Sequence, residues 1–183
     1  MRFRAAQRWA VATDSQLKIS YHGGPLAKAT LSSGLSHLIR RAPMQGDRGP
    51  DADCQMKTTQ RATMLGEQIQ ANWALLLYGS AQEQGHEIAE LARSRIGESL
   101  RVVWIQKVQR NAQNRSDTRW SDAILVDHRG EFARAWQVGR QAYILLRPDG
   151  HVAWRSFLPD KDALLAWLDC VFDLGHVAKT PTA

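Results

Sequence analysis

Two cysteines, Cys54 and Cys170, are the strongest candidate nucleophiles in this chain of 183 residues. Thiol chemistry needs a thiolate, held at low pKa by a helix N-terminus, a neighbouring cation or a second thiol. Cys54 closes a stretch rich in Gly, Ser, Pro and Arg and has no partner in view. Cys170 falls among Leu168, Val171 and Phe172 and reads as a filler on the apolar side of a helix. Ser80 follows a glycine after an apolar run, but no His or Asp is placed by sequence to activate it. The six histidines show neither H-x-x-x-H nor H-E-x-x-H spacing, so no metal ligand is assigned. His22, His128 and His151 sit beside turn glycines, where exposed polar side chains are normal. Asp160 and Asp162 suit a helix start better than acid/base work. There is no G-x-G-x-x-G after a strand and no Walker loop, so no cofactor-binding residue is assigned either.

The elements that would position these residues are clearer. Ala74–Tyr78 is a continuous apolar run, the pattern of a central strand covered on both faces. Glu83–Ile96 carries Ile88, Leu91, Ala92 and Ile96 on one helical face, and Gly97 ends it. Leu100–Ile105 is the next strand, parallel to the first by the right-handed crossover rule. Ala123–Val126 gives another strand or loop, and Glu131–Val138 a helix ended by Gly139. Tyr143–Ser156 reads as a hairpin about Pro148-Asp149-Gly150, with Val152, Trp154 and Phe157 on the return. Asp160 is an N-cap for a last helix with Leu164, Trp167, Leu168, Val171 and Phe172 inward. Upstream, Thr63–Ile69 suggests a short edge strand running into a short helix, and Leu17–Tyr21 a strand.

Strand, helix, strand, helix, hairpin, helix is the order of a thioredoxin-like α/β fold, a central mixed sheet flanked by helices, here behind an extended N-terminal connector. The expected organisation is a connector over 1–54, the thioredoxin-like domain over 55–175 and a tail over 176–183. In such a fold the redox thiol sits at the helix start after the first central strand. That position reads Tyr78-Gly79-Ser80-Ala81-Gln82 and has no cysteine. Arg140-Gln141-Ala142 stands where the fold's proline usually precedes the hairpin. Thiol–disulfide exchange is therefore not expected.

Charge is uneven. The net charge is +6, and residues 1–50 hold eight of the 24 Lys/Arg but only two of the 18 Asp/Glu. The remainder, sixteen against sixteen, is neutral. The basic part reads as a solvated or docking segment. Clustered bases are not interleaved with stacking aromatics, so nucleic-acid binding is not expected. Arg101–Arg119 is locally basic, with Lys107, Arg110, Arg115 and Arg119 in a solvent-facing loop. No apolar run approaches ~20 residues, no secretory h-region is present, and two cysteines make no disulfide framework. A cytoplasmic protein is the expectation. Trp9, Trp120, Leu35, Leu38 and Ile39 lie outside the core pattern and could form a docking patch.

Three stretches resemble the C-terminal part of FAD-dependent aromatic-ring monooxygenases, the group that includes phenol and chlorophenol hydroxylases. Leu17–Leu26 (LKISYHGGPL) is similar to the exit from that family's substrate domain, Gly46–Ala52 (GDRGPDA) to its G-R-x-P-D linker, and Arg147–Arg155 (RPDGHVAWR) to the hairpin of its last domain. The resemblance covers roughly residues 17–173. It implies a thioredoxin-like domain without redox cysteines, associated with dimer contacts and with covering the flavin domain. FAD, NAD(P)H and hydroxylation would belong to a preceding flavin domain, whose motifs this sequence lacks. No catalytic residue carries over. Arg48, Asp51, Arg147, Asp149 and Arg155 are the interface or structural candidates; the plain alternative for each is a turn residue or surface ion pair worth ~0–1 kcal/mol. The implied partner is a flavin-bearing monooxygenase domain or a second copy of the chain. Two other readings stay open: a stand-alone thioredoxin- or peroxiredoxin-like protein using Cys54 as peroxidatic thiol, and an interaction module of another partner.

Overall fold

The computed structural model describes residues 42–108 and 119–172. They form one mixed seven-stranded sheet with helices on both faces. In chain order the elements are β1 (Asp53–Met56), β2 (Ala62–Met64), α1 (Leu65–Ile69), β3 (Trp73–Tyr78), α2 (Gln82–Ile96), a 3-10 turn (Gly97–Ser99), β4 (Leu100–Lys107), β5 (Ala123–Asp127), α3 (Glu131–Ala135), β6 (Ala142–Leu146), β7 (Val152–Ser156) and α4 (Lys161–Phe172). The strand order is β2-β1-β5-β4-β3-β6-β7. β3, β4 and β5 are mutually parallel, and the other pairs are antiparallel.

The unbroken apolar runs follow from this layering. Alternate residues of β3 point to opposite faces. Ala74, Leu76 and Tyr78 join Phe132, Trp136 and Leu65 on one side. Leu75 and Leu77 join Ile88, Leu164 and Leu168 on the other. A strand buried on both faces has no polar alternation to show. α4 starts as its sequence suggests: the Asp160 carboxylate accepts the Ala163 N–H at 2.9 Å.

Several details depart from expectation. Cys170 is exposed, not a core filler. At 100° per residue it falls well off the stripe made by Leu164, Trp167, Leu168 and Val171. α3 stops at Ala135, because Gln137 takes a left-handed φ of 50° two residues before Gly139. The return strand ends at Ser156, leaving Phe157 outside the sheet and 37% exposed. Trp120 forms no surface patch; it is buried against Trp104 with ring centroids 5.1 Å apart. His151 is buried although it follows a turn glycine. Lys107 ends β4 and donates to the Gly139 carbonyl at 2.6 Å. Trp9, Leu17–Tyr21, Leu35–Ile39, Arg110 and Arg115 lie outside the described residues.

Candidate functional site

The turn after β3 is where a redox thiol would stand. Gly79 has φ +62, and its N–H donates to the Ile105 carbonyl at 3.0 Å. A Cβ there would collide with the Arg140 carbonyl oxygen, so the backbone before β6 closes directly over the turn. Ser80 is buried, with its hydroxyl close to Gly85 rather than to any base. A dinucleotide needs a glycine-rich turn whose amides lie open to the pyrophosphate. This turn is pressed against backbone instead, so it offers no such cradle. Among the described residues no three His, Cys, Asp or Glu side chains form a metal-binding group, and no helix is long and apolar enough to cross a membrane.

Cys54 lies within β1, not in a connector, and is fully buried. Burial pushes its thiol up to about 12, and the nearby Asp127, Asp53 and Asp51 carboxylates act in the same direction. The environment is the reverse of that which makes a cysteine nucleophilic and argues against Cys54 as a peroxidatic thiol. Asp127 was missed as a structural residue by the sequence reading. It ends β5, is buried, and accepts the Phe132 and Ala133 N–H groups at 3.1 and 3.0 Å, so it caps α3 from outside the helix. Tyr78 reaches it at 3.5 Å and is pushed up to about 12, by burial first and Asp127 second. A carboxylate closing a buried strand shortly before a helical segment was the only signal available.

The remaining locus is the junction of the connector with the β6–β7 hairpin. Gly46 N–H donates to Val152 O, Val152 N–H to Asp47 O and Gly49 N–H to Gly150 O, each at 2.8 Å, and Arg48 pairs with His151 as an antiparallel bridge. The connector thus lies along the outer edge of β7. Gly49 lies against the Trp136 ring, where an added Cβ would sit 2.7 Å from Cη2. The structure therefore brings together the two motifs at 46–52 and 147–155 that are far apart in sequence.

Each predicted site residue has a place here. Arg48 is exposed at the mouth of a cleft of about 650 Å³, lined also by Asp51, Asp149, Leu65, Ile69 and Trp136. Asp51 Oδ1 accepts the Gly66 and Ala52 N–H groups at 2.9 Å each and ties the connector to α1. Arg147 pairs with Asp149 across the turn, and its N–H donates to His151 O at 2.9 Å. Burial would raise the Asp149 carboxyl, but the His151 N–H and Arg147 overcome this and hold it below its ordinary value. Arg155 stands apart from the cleft; it donates to the carbonyls of Pro43 at 2.7 Å and Trp136 at 2.6 Å. Pro43, Trp136 and His151 complete the junction but carried no sequence signal for it, since the contacts depend on the fold. Asp51, Asp149 and Arg155 hold backbone with their side chains, and Arg147 holds Asp149.

Residues 42–174 match the family described as aromatic-ring hydroxylase, C-terminal. Among solved structures the chain is similar to the flavin-dependent monooxygenase PieE, solved with FAD and substrate, at 21% identity and a TM-score of 0.57 over 90% of this chain. It is similar also to aklavinone-11 hydroxylase, solved with FAD and aklavinone, at 18% identity and a TM-score of 0.58 over 86% of this chain. The chain spans only 28% and 26% of the lengths of those two proteins. The thioredoxin domain of a thiol-disulfide oxidoreductase from Bacteroides vulgatus matches 72% of this chain with 99% of its own, at 11% identity and a TM-score of 0.51. A comparison with curated proteins finds no match.

Proposed function

Because the chain belongs to the aromatic-ring hydroxylase C-terminal family, we propose that it is the non-catalytic, thioredoxin-like module of an FAD-dependent aromatic monooxygenase. It docks to a flavin-bearing domain or pairs with a second copy of itself. Of the expected 1–54 connector, residues 1–52 keep that role, because Asp53 and Cys54 already belong to β1; 53–175 serve as the module and 176–183 as a tail, with the last part of the connector held on the hairpin. FAD and NAD(P)H are used by the partner domain, and a cytoplasmic location goes with that chemistry. Arg48, Asp51, Arg147, Asp149 and Arg155 keep the connector seated and take no part in bond making.

The observation that carries this reading is the interlock of Gly46–Gly49 with Gly150–Val152. A chain entering along a sheet edge, hydrogen-bonded and locked against Trp136, is built to present the module in a fixed orientation to whatever precedes it. The absence of thiol chemistry is supported by the sealed turn at Gly79 and the deeply buried Cys54. Two assays on the purified chain test this. Titration into FAD should leave the flavin fluorescence unquenched, and peroxide consumption should equal that of Cys54→Ala. Saturable quenching would overturn the division of labour, and peroxide consumption lost in Cys54→Ala would restore a peroxidatic role.

A further inference from the structure

Among the described residues, Arg155 carries a charge into a place that gives it no carboxylate partner. It is partly buried, burial pulls its guanidinium down to about 10, and among the described residues its hydrogen bonds go to main-chain carbonyls. Its planar group also lies over the Phe157 ring, 4.8 Å from the centroid. Covering a cation without a carboxylate is costly, and an apolar side chain of similar volume would fill the same space. What an apolar side chain cannot do is donate in two directions at once. The two acceptors come from segments remote in sequence: Pro43 in the incoming connector and Trp136 at the end of α3.

We infer that Arg155 is the positioning residue of the connector: its fork ties the backbone at Pro43 to the backbone at Trp136 and so fixes the path of the connector from Pro43 along β7. Trp136 is used twice. Arg155 holds its carbonyl, and Gly49 lies on its ring. The segment from Pro43 to Gly49 is therefore pinned at both ends to one residue, with the Gly46, Asp47 and Gly49 bonds to the hairpin between them. A rigid fork suits this task, because a lysine ammonium on a flexible stem cannot hold the same two carbonyls in fixed geometry. The latch needs no flavin-bearing partner and stands or falls independently of one.

Hydrogen exchange on the full chain tests it. In Arg155→Met the Gly46, Gly49 and Val138 amides should exchange about tenfold faster or more, while Leu76 and Val103 in the central strands keep their rates. Arg155→Lys should show the same local acceleration. Unchanged exchange at Gly46 and Gly49, an equal acceleration in β3 and β4, or full protection in Arg155→Lys would overturn the latch. Should Arg155→Met fail to fold, the wild-type chain in mild urea gives the second reading. The Gly46, Gly49 and Val138 amides should open together, at lower denaturant than the central strands, and separate openings would overturn it.

Discussion

At the scale of single residues, several charged side chains among the described residues are spent on holding backbone. Asp127 serves two α3 amides, Asp51 serves Gly66 and Ala52, and Arg155 serves two carbonyls. Cys54 gives the sharpest consequence. Its folded thiol is raised to about 12 from an ordinary 9.0. The contribution to stability is therefore fully present below pH 9 and is lost as pH rises towards 12, because the unfolded thiol ionises first. Tyr78, raised to about 12 from 10.0, adds to the loss over the upper part of the same window. Chemical denaturation across pH 8 to 12 should show this decline in the wild type, and in Cys54→Ala the onset should move up towards the tyrosine range. Cys54→Ala should also lower stability at neutral pH by about 1 kcal/mol through the space it leaves.

At the scale of elements, what was legible in sequence was what depends on local pattern. β3, α2, β4, the β6–β7 hairpin and α4 were each foreshadowed by an apolar run, a helical stripe or turn chemistry. Asp160 was legible as a cap for the same reason, and Asp160→Ala should cost about 1 kcal/mol, read as a lowered denaturation midpoint with an unchanged slope. The exposure of Cys170 contradicts its reading as a core filler, although the last helix laid out at 100° per residue puts it off the apolar stripe. The end of α3 was not legible, because Gln137 adopts a conformation usually left to glycine. Nor was the seating of the connector, in which Gly49 meets Trp136 and Arg48 meets His151. Such contacts join segments that no sequence window contains. The two motifs could be recognised separately, but their mutual contact could not. Gly49→Val is expected to push the connector off the Trp136 ring, which trypsin would report as faster cleavage after Arg48 in an otherwise folded protein.

At the scale of the whole molecule, the fold is thioredoxin-like, with packed backbone over the turn after β3 and, on the outer edge of β7, an incoming segment of its own chain held by backbone hydrogen bonds. Fold alone does not carry function, and related folds serve thiol exchange and flavin enzymes alike. Membership of the hydroxylase C-terminal family and the connector's locked path are the grounds on which we propose a module that works beside a flavin and not through its own thiols. The most direct measurement is the visible absorbance, together with the mass in solution, of the protein purified gently from its native host. The expected result is a species with a bound flavin spectrum and a mass above the 20.6 kDa of this chain. A colourless protein, whatever its mass, would contradict a flavin-bearing partner.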